Sequence, residues 1–312
     1  MAGKKTKPLR AVLIGAGHIS LEYQKGLAES EKIKLLAIVD IDKTAIGFKY
    51  FPNTQKFSTI EDLPQNDFDV AIISTPPSTH YNLIKTCLER NWNVIVEKPF
   101  ALSLDLITDA YVTAKKTGLF LATSYHWQNG EEVRAFNKLY NPRLISKIDV
   151  SIEDPYSLNG VSINGEKIPL EGAWIDSGVN ALSMVKTWLP FSKTKILNVD
   201  TVFADNIHLP IYCKADMEID GIPVSIKIDW RNQKNIKLTR LTYLDREIII
   251  NHSEQTVFDG ESALIFNSLS RLTRHYFNYY TGFKCRSNFA ETIAIHKLLL
   301  KVRDTYDKKI VY

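Results

Sequence analysis

Between Leu9 and Ala122 the chain alternates short apolar runs with helical stretches, and this alternation constrains its fold more than any other feature. Leu9–Ile14, Ile33–Val39, Val70–Ser74, Asn93–Val96 and Leu119–Ala122 read as strands. Ser20–Ala28, Asp42–Phe48, Thr79–Arg90 and Ser103–Thr117 read as the helices between them. Strands that are apolar almost throughout are buried on both faces, and strands separated by helices run parallel. The expected N-terminal architecture is therefore a doubly wound parallel sheet.

The pattern changes near Tyr125. A helix over Asn129–Tyr140, a strand over Ile145–Ile152 and a helix over Asp176–Trp188 precede a strand-rich stretch. Val224–Trp230 alternates apolar with polar residues after a turn at Gly221-Ile-Pro, and Ile236–Tyr243 and Glu247–Ile250 follow. Two helices close the chain, near Ser268–Tyr280 and Asn288–Thr305. Successive strands imply an α+β domain with a mostly antiparallel sheet, one face of it open. The expected division is 1–125 for the first domain and 126–312 for the second, comfortable for 312 residues.

Composition excludes several classes. Hydrophobic residues are 45% and charged residues 24%, which is globular. The formal charge of +4 is too mild, and its one basic run, Lys4 to Arg10, too terminal, for a nucleic-acid binder. Basic and aromatic residues over Arg271–Tyr280 have helical spacing that suits core or subunit contact better than RNA. Three scattered cysteines suggest a reducing compartment and no metal site. No apolar run is long enough to span a bilayer, and no leader-like stretch opens the chain, so the expectation is a cytoplasmic protein without membrane partners.

Ile14-Gly15-Ala16-Gly17-His18-Ile19-Ser20 joins the first strand to the first helix. Gly15 permits the tight turn, Gly17 admits a pyrophosphate, and the helix start at His18 and Ile19 offers free N–H groups. Ser20 stands at the third glycine position. Asp40, ending the second strand, can accept hydrogen bonds from a ribose and disfavours a 2′-phosphate, so NAD is the expected cofactor. Lys43 beside it leaves NADP possible.

Ser74-Thr75-Pro76-Pro77-Ser78-Thr79-His80 follows the third strand, and Glu97-Lys98-Pro99 ends the next. Together with Gly15-Ala-Gly17 and Asp176-x-Gly178-x-Asn180, these segments resemble the glucose-fructose oxidoreductase / inositol dehydrogenase / MocA family across essentially the whole chain. The resemblance implies a Rossmann domain and a strand-rich substrate domain, often associated through the open sheet as a dimer or tetramer. It places Gly15, Gly17, His18, Ile19, Asp40, Ser74, Thr75, Pro76, His80, Glu97 and Lys98 at the cofactor. It implies catalysis by Lys98, which can hydrogen-bond the reacting oxygen and carry its proton, and a cis Lys98–Pro99 bond.

Asp176 and Asn180 share one helix face. Asn180 stands where most of that family has histidine, which implies either lost catalysis or a subgroup that never used it. Asp176–Ser183 and the acidic Glu153-Asp154 pair resemble the L-arabinose / D-galactose 1-dehydrogenase subgroup. That resemblance implies catalytic roles for Lys98, Asp176 and Asn180, and sugar contacts at Glu153 and Asn159; Trp174 is a candidate platform for stacking on the sugar. Trp174 also suits a core aromatic, and His126 packing between domains. The implied reaction oxidises an aldose at C1 to its lactone. The alternatives are a reductase of a nucleotide-linked or modified ketosugar, and a non-catalytic NAD-binding regulator.

Overall fold

Six strands of the N-terminal half pair in parallel, and the central ones are apolar enough to bury both faces. The computed structural model describes residues 7–50, 54–64, 67–158, 161–162, 171–204, 209–266 and 271–307. β1 (Leu9–Ile14), β2 (Ile33–Val39), β3 (Gln55–Phe57), β4 (Val70–Ile73), β5 (Asn93–Glu97) and β6 (Leu121–Ser124) lie in the order β3-β2-β1-β4-β5-β6. Helices α1 (His18–Ala28), α2 (Ile46–Tyr50), α3 (Pro77–Glu89) and α4 (Leu104–Thr117) supply the connections. This is the doubly wound sheet expected from the alternation. Along β1, Val12 and Ile14 enter one buried cluster with Ile84, Leu88 and Ile107, while Ala11 and Leu13 enter another with Tyr23, Leu27 and Phe48. The strand order reverses between β1 and β4, where such sheets bind ligands outside their carboxyl ends.

Two compact units divide the chain. One contains the residues up to His126 together with Leu272–Ile293; the other contains Trp127–Arg271 and the residues from Ala294 on. The returning segment brings Tyr276, Tyr280 and Phe283 into the second of the two N-terminal clusters.

The other unit is built on a larger sheet. Its elements are α5 (Glu131–Leu139), β7 (Ile145–Glu153), β8 (Ser157–Leu158), β9 (Val161–Ser162), α6 (Val179–Val185), β10 (Thr194–Phe203), β11 (Pro210–Ile219), β12 (Ile222–Asp229), β13 (Ile236–Tyr243), β14 (Arg246–Asn251), β15 (Thr256–Phe258) and β16 (Ala263–Ile265). Eight strands form the order β10-β11-β12-β7-β13-β14-β15-β16, antiparallel except where β12 meets β7. β8 and β9 pair separately. The chain closes with α7 (Arg271–Gly282) and α8 (Phe289–Asp307).

The β11–β12 hairpin turns at Asp220-Gly221, one residue earlier than Gly221-Ile-Pro suggested. Both turn residues have positive φ (51° and 85°), the requirement of a two-residue loop matched to strand twist. One sheet face is charged and exposed, crossed by the pairs Lys147–Asp149, Lys214–Asp216 and Arg240–Glu247. The opposite face, with Ile148, Val150, Ile152, Thr239 and Leu241, is buried. Among the described residues no helix is long and apolar enough to cross a membrane.

Candidate functional site

The glycine turn is shaped by close backbone packing. Gly15 adopts φ +102°, and a Cβ there would lie 2.8 Å from the Ser74 carbonyl carbon. Its amide donates to the Val39 carbonyl (2.8 Å), and the Ser74 hydroxyl donates to the Gly15 carbonyl (3.0 Å). Gly17, by contrast, has nothing within 4 Å of a notional Cβ. It precedes α1 without any side-chain cap, so the first amides of the helix stay available. Open space beside an uncapped helix start fits the pyrophosphate of a dinucleotide. Ser20 is fully buried, and its hydroxyl would lie 2.5 Å from a Cβ at Gly47. A glycine on α2 thus makes the close approach that Ser20 forgoes.

Asp40 is fixed at the end of β2. One carboxylate oxygen accepts the Ala16 amide (2.6 Å) and the other the Asp42 amide (2.8 Å). Each oxygen keeps a lone pair for a ribose hydroxyl. Nearby, Lys43, Lys49 and Lys56 line an open cavity of about 500 Å³ with Thr44 and Ser58.

Thr75, partly buried, and Pro76, exposed, lead into α3, with the Thr75 and Thr79 hydroxyls 2.7 Å apart. His80, expected at the cofactor, instead lies wholly inside the unit. Its Nδ1 is 3.1 Å from the carbonyls of Pro99 and of Phe100, and its Nε2 is 2.8 Å from that of Thr75. Burial pushes its pKa down, against the pull of these three carbonyls. His80 therefore ties the Thr75 loop to the segment after Lys98. The Lys98–Pro99 bond is cis.

Glu97 and Lys98 sit at the carboxyl end of β5, the first buried and the second partly exposed. One oxygen of Glu97 accepts the hydroxyls of Tyr23 and of Tyr276, the latter at 3.1 Å. Sequence reasoning did not reach these tyrosines, since one lies on α1 and the other on the returning α7. His126 stacks on Tyr276 within the same unit, with ring centroids 4.8 Å apart.

The remaining candidates belong to the other unit. Gly172–Val185 is buried at every position except Asp176 and Asn180, which are partly exposed. Asp176 lies in a π-helical turn, Trp174–Gly178, an irregularity frequent at functional sites. The Asn180 amide donates to the Asp176 carbonyl at 3.4 Å. Trp174, expected as a sugar contact, is fully buried, and its indole N–H donates to the Leu299 carbonyl (3.0 Å). No ring face is open for stacking, so Trp174 is a core residue. Asn159 lies outside the described residues.

Glu153 and Asp154 part company. Glu153 shares the Ser151 face of β7 and pairs with Lys227 (2.8 Å) and Asn232. Asp154 continues the buried Val150–Ile152 face and pairs with Lys237, itself buried and also bonded to Asn235. Burial pushes the Lys237 pKa down while the Asp154 charge opposes it; Arg271 and Asp176 are also within electrostatic reach. Burial, together with the charges of Asp154 and Asp176, raises the Tyr156 pKa. The structure thus groups Asp154, Tyr156, Asp176 and Lys237, and leaves Glu153 on the other face. The period-2 alternation of β7 was the available signal for choosing Asp154; Lys237 had none, because polar and apolar residues mix on both faces of β13.

Residues 9–125 match the family described as an oxidoreductase family with an NAD-binding Rossmann fold. Over these residues the chain is similar to the Gfo/Idh/MocA oxidoreductases. Among curated relatives, an uncharacterized oxidoreductase of Bacillus subtilis, YrbE, is 23% identical over 58% of this chain and 54% of its own. The chain thus spans about half the length of the first curated relatives it matches. D-glucoside 3-dehydrogenase of Escherichia coli is 23% identical over 83% of this chain and 76% of its own. The structure of D-galactose-1-dehydrogenase from Rhizobium etli has the same fold, with a TM-score of 0.72, 22% identity, and coverage of 97% of this chain and 96% of that one.

Proposed function

We propose that this oxidoreductase is an NAD(P)-dependent sugar dehydrogenase that oxidises an aldose at C1 to its lactone. The observation that carries the reading is Lys98, partly exposed at the carboxyl end of a Rossmann strand with its neighbours on both sides locked. Glu97 is held by two tyrosines, and the Pro99 and Phe100 carbonyls by His80. The backbone that carries this lysine is held on both sides, which suits a group that must meet a reacting hydroxyl repeatedly.

Bound NAD(P) supplies the hydride acceptor. Lys98 takes the proton of the C1 hydroxyl onto Nζ and returns it to solvent. Asp176 and Asn180 orient sugar hydroxyls, and Asp154 rather than Glu153 joins them. A hemiacetal carbon is easily oxidised because its ring oxygen supports the developing positive charge, so no histidine is required at Asn180. The likeness to D-galactose-1-dehydrogenase supports C1 as the reacting carbon. The alignment with D-glucoside 3-dehydrogenase, longer than that with YrbE, favours a second reading, oxidation at C3 of a glycoside.

Asp40 favours NAD, while Lys43, Lys49 and Lys56 beside it suit a 2′-phosphate. Copies associate, on this reading, through the charged open sheet face. The test is NADH or NADPH absorbance with aldoses, methyl glycosides and cyclitols. Turnover of D-galactose or L-arabinose with methyl galactoside inert supports C1, whereas turnover of the glycoside supports C3. A Lys98→Ala variant that still reduces the cofactor at the native rate would sink both.

A further inference from the structure

Directly behind Lys98 lies a polar cluster that the reading above does not use. Glu97 is 7% exposed, yet it faces tyrosines and histidines from three elements. Tyr23 on α1 and Tyr276 on α7 both donate to its Oε2. His126 Nδ1 is 4.0 Å from Oε1. His275, Tyr279 and Tyr280 on α7 surround these groups, all buried or nearly so, and the Lys98 charge and backbone amide act on the carboxyl from its own strand. A carboxyl at this end of β5 needs a reason, because Ile95, two residues earlier on the same face, packs as a plain hydrophobe into the cluster of Tyr23, Tyr276 and Tyr280.

We infer that Glu97, clamped by Tyr23 and by Tyr276 of the returning helix, is a positioning residue that couples its own proton to the charge on Lys98. The inference rests on Lys98 being the proton carrier of the proposed reaction. Burial pushes the Glu97 carboxyl up to about 7, against the Lys98 charge and the two hydroxyls that favour ionisation. Coupling between two charges is reciprocal: if the Lys98 ammonium favours ionised Glu97, ionised Glu97 favours the ammonium. When Lys98 is neutral and ready to accept a proton, Glu97 holds one. When Lys98 receives the hydroxyl proton, Glu97 can lose its own to bulk water, to which it is 7% exposed, leaving opposite charges on the two neighbours. The tyrosine hydroxyls supply donors to the carboxylate in that second state, so the swing in charge occurs without rearrangement of the chain.

Two measurements on the full chain test this. The first is an infrared titration from pH 5 to 9, native minus Glu97→Gln, which needs no substrate. A carboxylic-acid carbonyl band with a midpoint near pH 7, absent from Glu97→Gln and moved to higher pH in Tyr276→Phe, is expected. No such band in the difference overturns the inference. The second is the pH profile of turnover on whichever sugar the panel identifies. Loss of the negative neighbour in Glu97→Gln should move the acid limb down by about one pH unit, the size of a charge–charge effect at partly screened range. An unmoved limb in a Glu97→Gln protein that melts normally also overturns it, since a merely structural carboxyl predicts loss of stability without a shifted profile. Should Glu97→Gln not fold, Tyr276→Phe serves in its place: its carbonyl band moves to higher pH and its acid limb moves down, by less than in Glu97→Gln. Failure of the proposed reaction shows separately, as turnover insensitive to Lys98→Ala, and leaves the infrared result to stand or fall alone.

Discussion

Alanine at Gly17 should spare the fold and remove the cofactor, whereas alanine at Gly15 should strike the fold first. Gly17 has φ −69° and ψ −173°, backbone that any residue adopts, and open space around its notional Cβ. The gain from stiffening the unfolded chain, about 0.4–1 kcal/mol, offsets the loss of a preferred N-cap residue, so stability should change by less than about 1 kcal/mol. The added methyl nevertheless stands where a pyrophosphate must approach, and a tenfold loss of affinity, about 1.4 kcal/mol, is the minimum expected. Gly15 differs on both counts. An alanine at φ +102° carries strain of about 1–3 kcal/mol, and its Cβ would press on the Ser74 carbonyl group at 2.8 and 2.9 Å. Adding a comparable overpacking term gives about 3 kcal/mol, or roughly 6–12 °C in Tm for a unit of this size. Thermal melts and NADH-fluorescence titrations on the two variants separate the effects. Gly17→Ala binding NADH within about twofold of the native protein would refute the placement of the pyrophosphate. Gly15→Ala melting at the native temperature would refute the packing argument.

Lys98→Ala should lower turnover by about 10²–10⁴-fold while leaving NADH affinity near native, the usual range for a lost proton carrier; equal loss of both would point to a collapsed strand end. Lys237→Met should destabilise by about 3–5 kcal/mol because it strands the buried Asp154 carboxylate, and adding Asp154→Leu should restore most of that, read from urea midpoints. Glu97 is raised from 4.5 to about 7 in the folded state, so native protein binds its proton more tightly than unfolded chain. Stability from this group is therefore full below pH 4.5 and falls by about 3 kcal/mol as pH rises through 7; Glu97→Gln should flatten that slope in urea melts at pH 5 and pH 8. Trp174→Phe should lower Tm by leaving the Leu299 carbonyl without its donor, yet leave KM for sugar unchanged; a raised KM at native Tm would return this residue to the sugar site.

The parallel sheet was legible because its strands are buried on both faces and therefore read as continuous apolar runs. β1 and β2 fall where the sequence put them, at Leu9–Ile14 and Ile33–Val39. β3 escaped because Gln55-Lys56-Phe57 is a three-residue edge strand with an exposed polar start. The glycine turn, Asp40 and Lys98 were legible as local motifs. Non-local packing was not. Nothing in Ser74-Thr75-Pro76-Pro77-Ser78-Thr79-His80 says that the histidine turns inward onto the carbonyls beyond Pro99, nor in Arg271–Tyr280 that one of its tyrosines meets Glu97. Trp174 was open between core and surface because an indole suits either; only the Leu299 carbonyl decides it.

The late return of Leu272–Ile293 sets an order of events during synthesis. Tyr125 leaves the ribosome well before Tyr276, and at ordinary elongation rates the interval is roughly ten to thirty seconds. Throughout it the nascent sheet has all six strands but lacks the helix that covers Tyr23, and its buried-to-be carboxyl at Glu97 is open to water. The nucleotide-binding half of the protein is thus translated first and finished nearly last, which makes the half-covered sheet a natural client for chaperones and a nascent chain stalled before Tyr276 unable to close its own aromatic core.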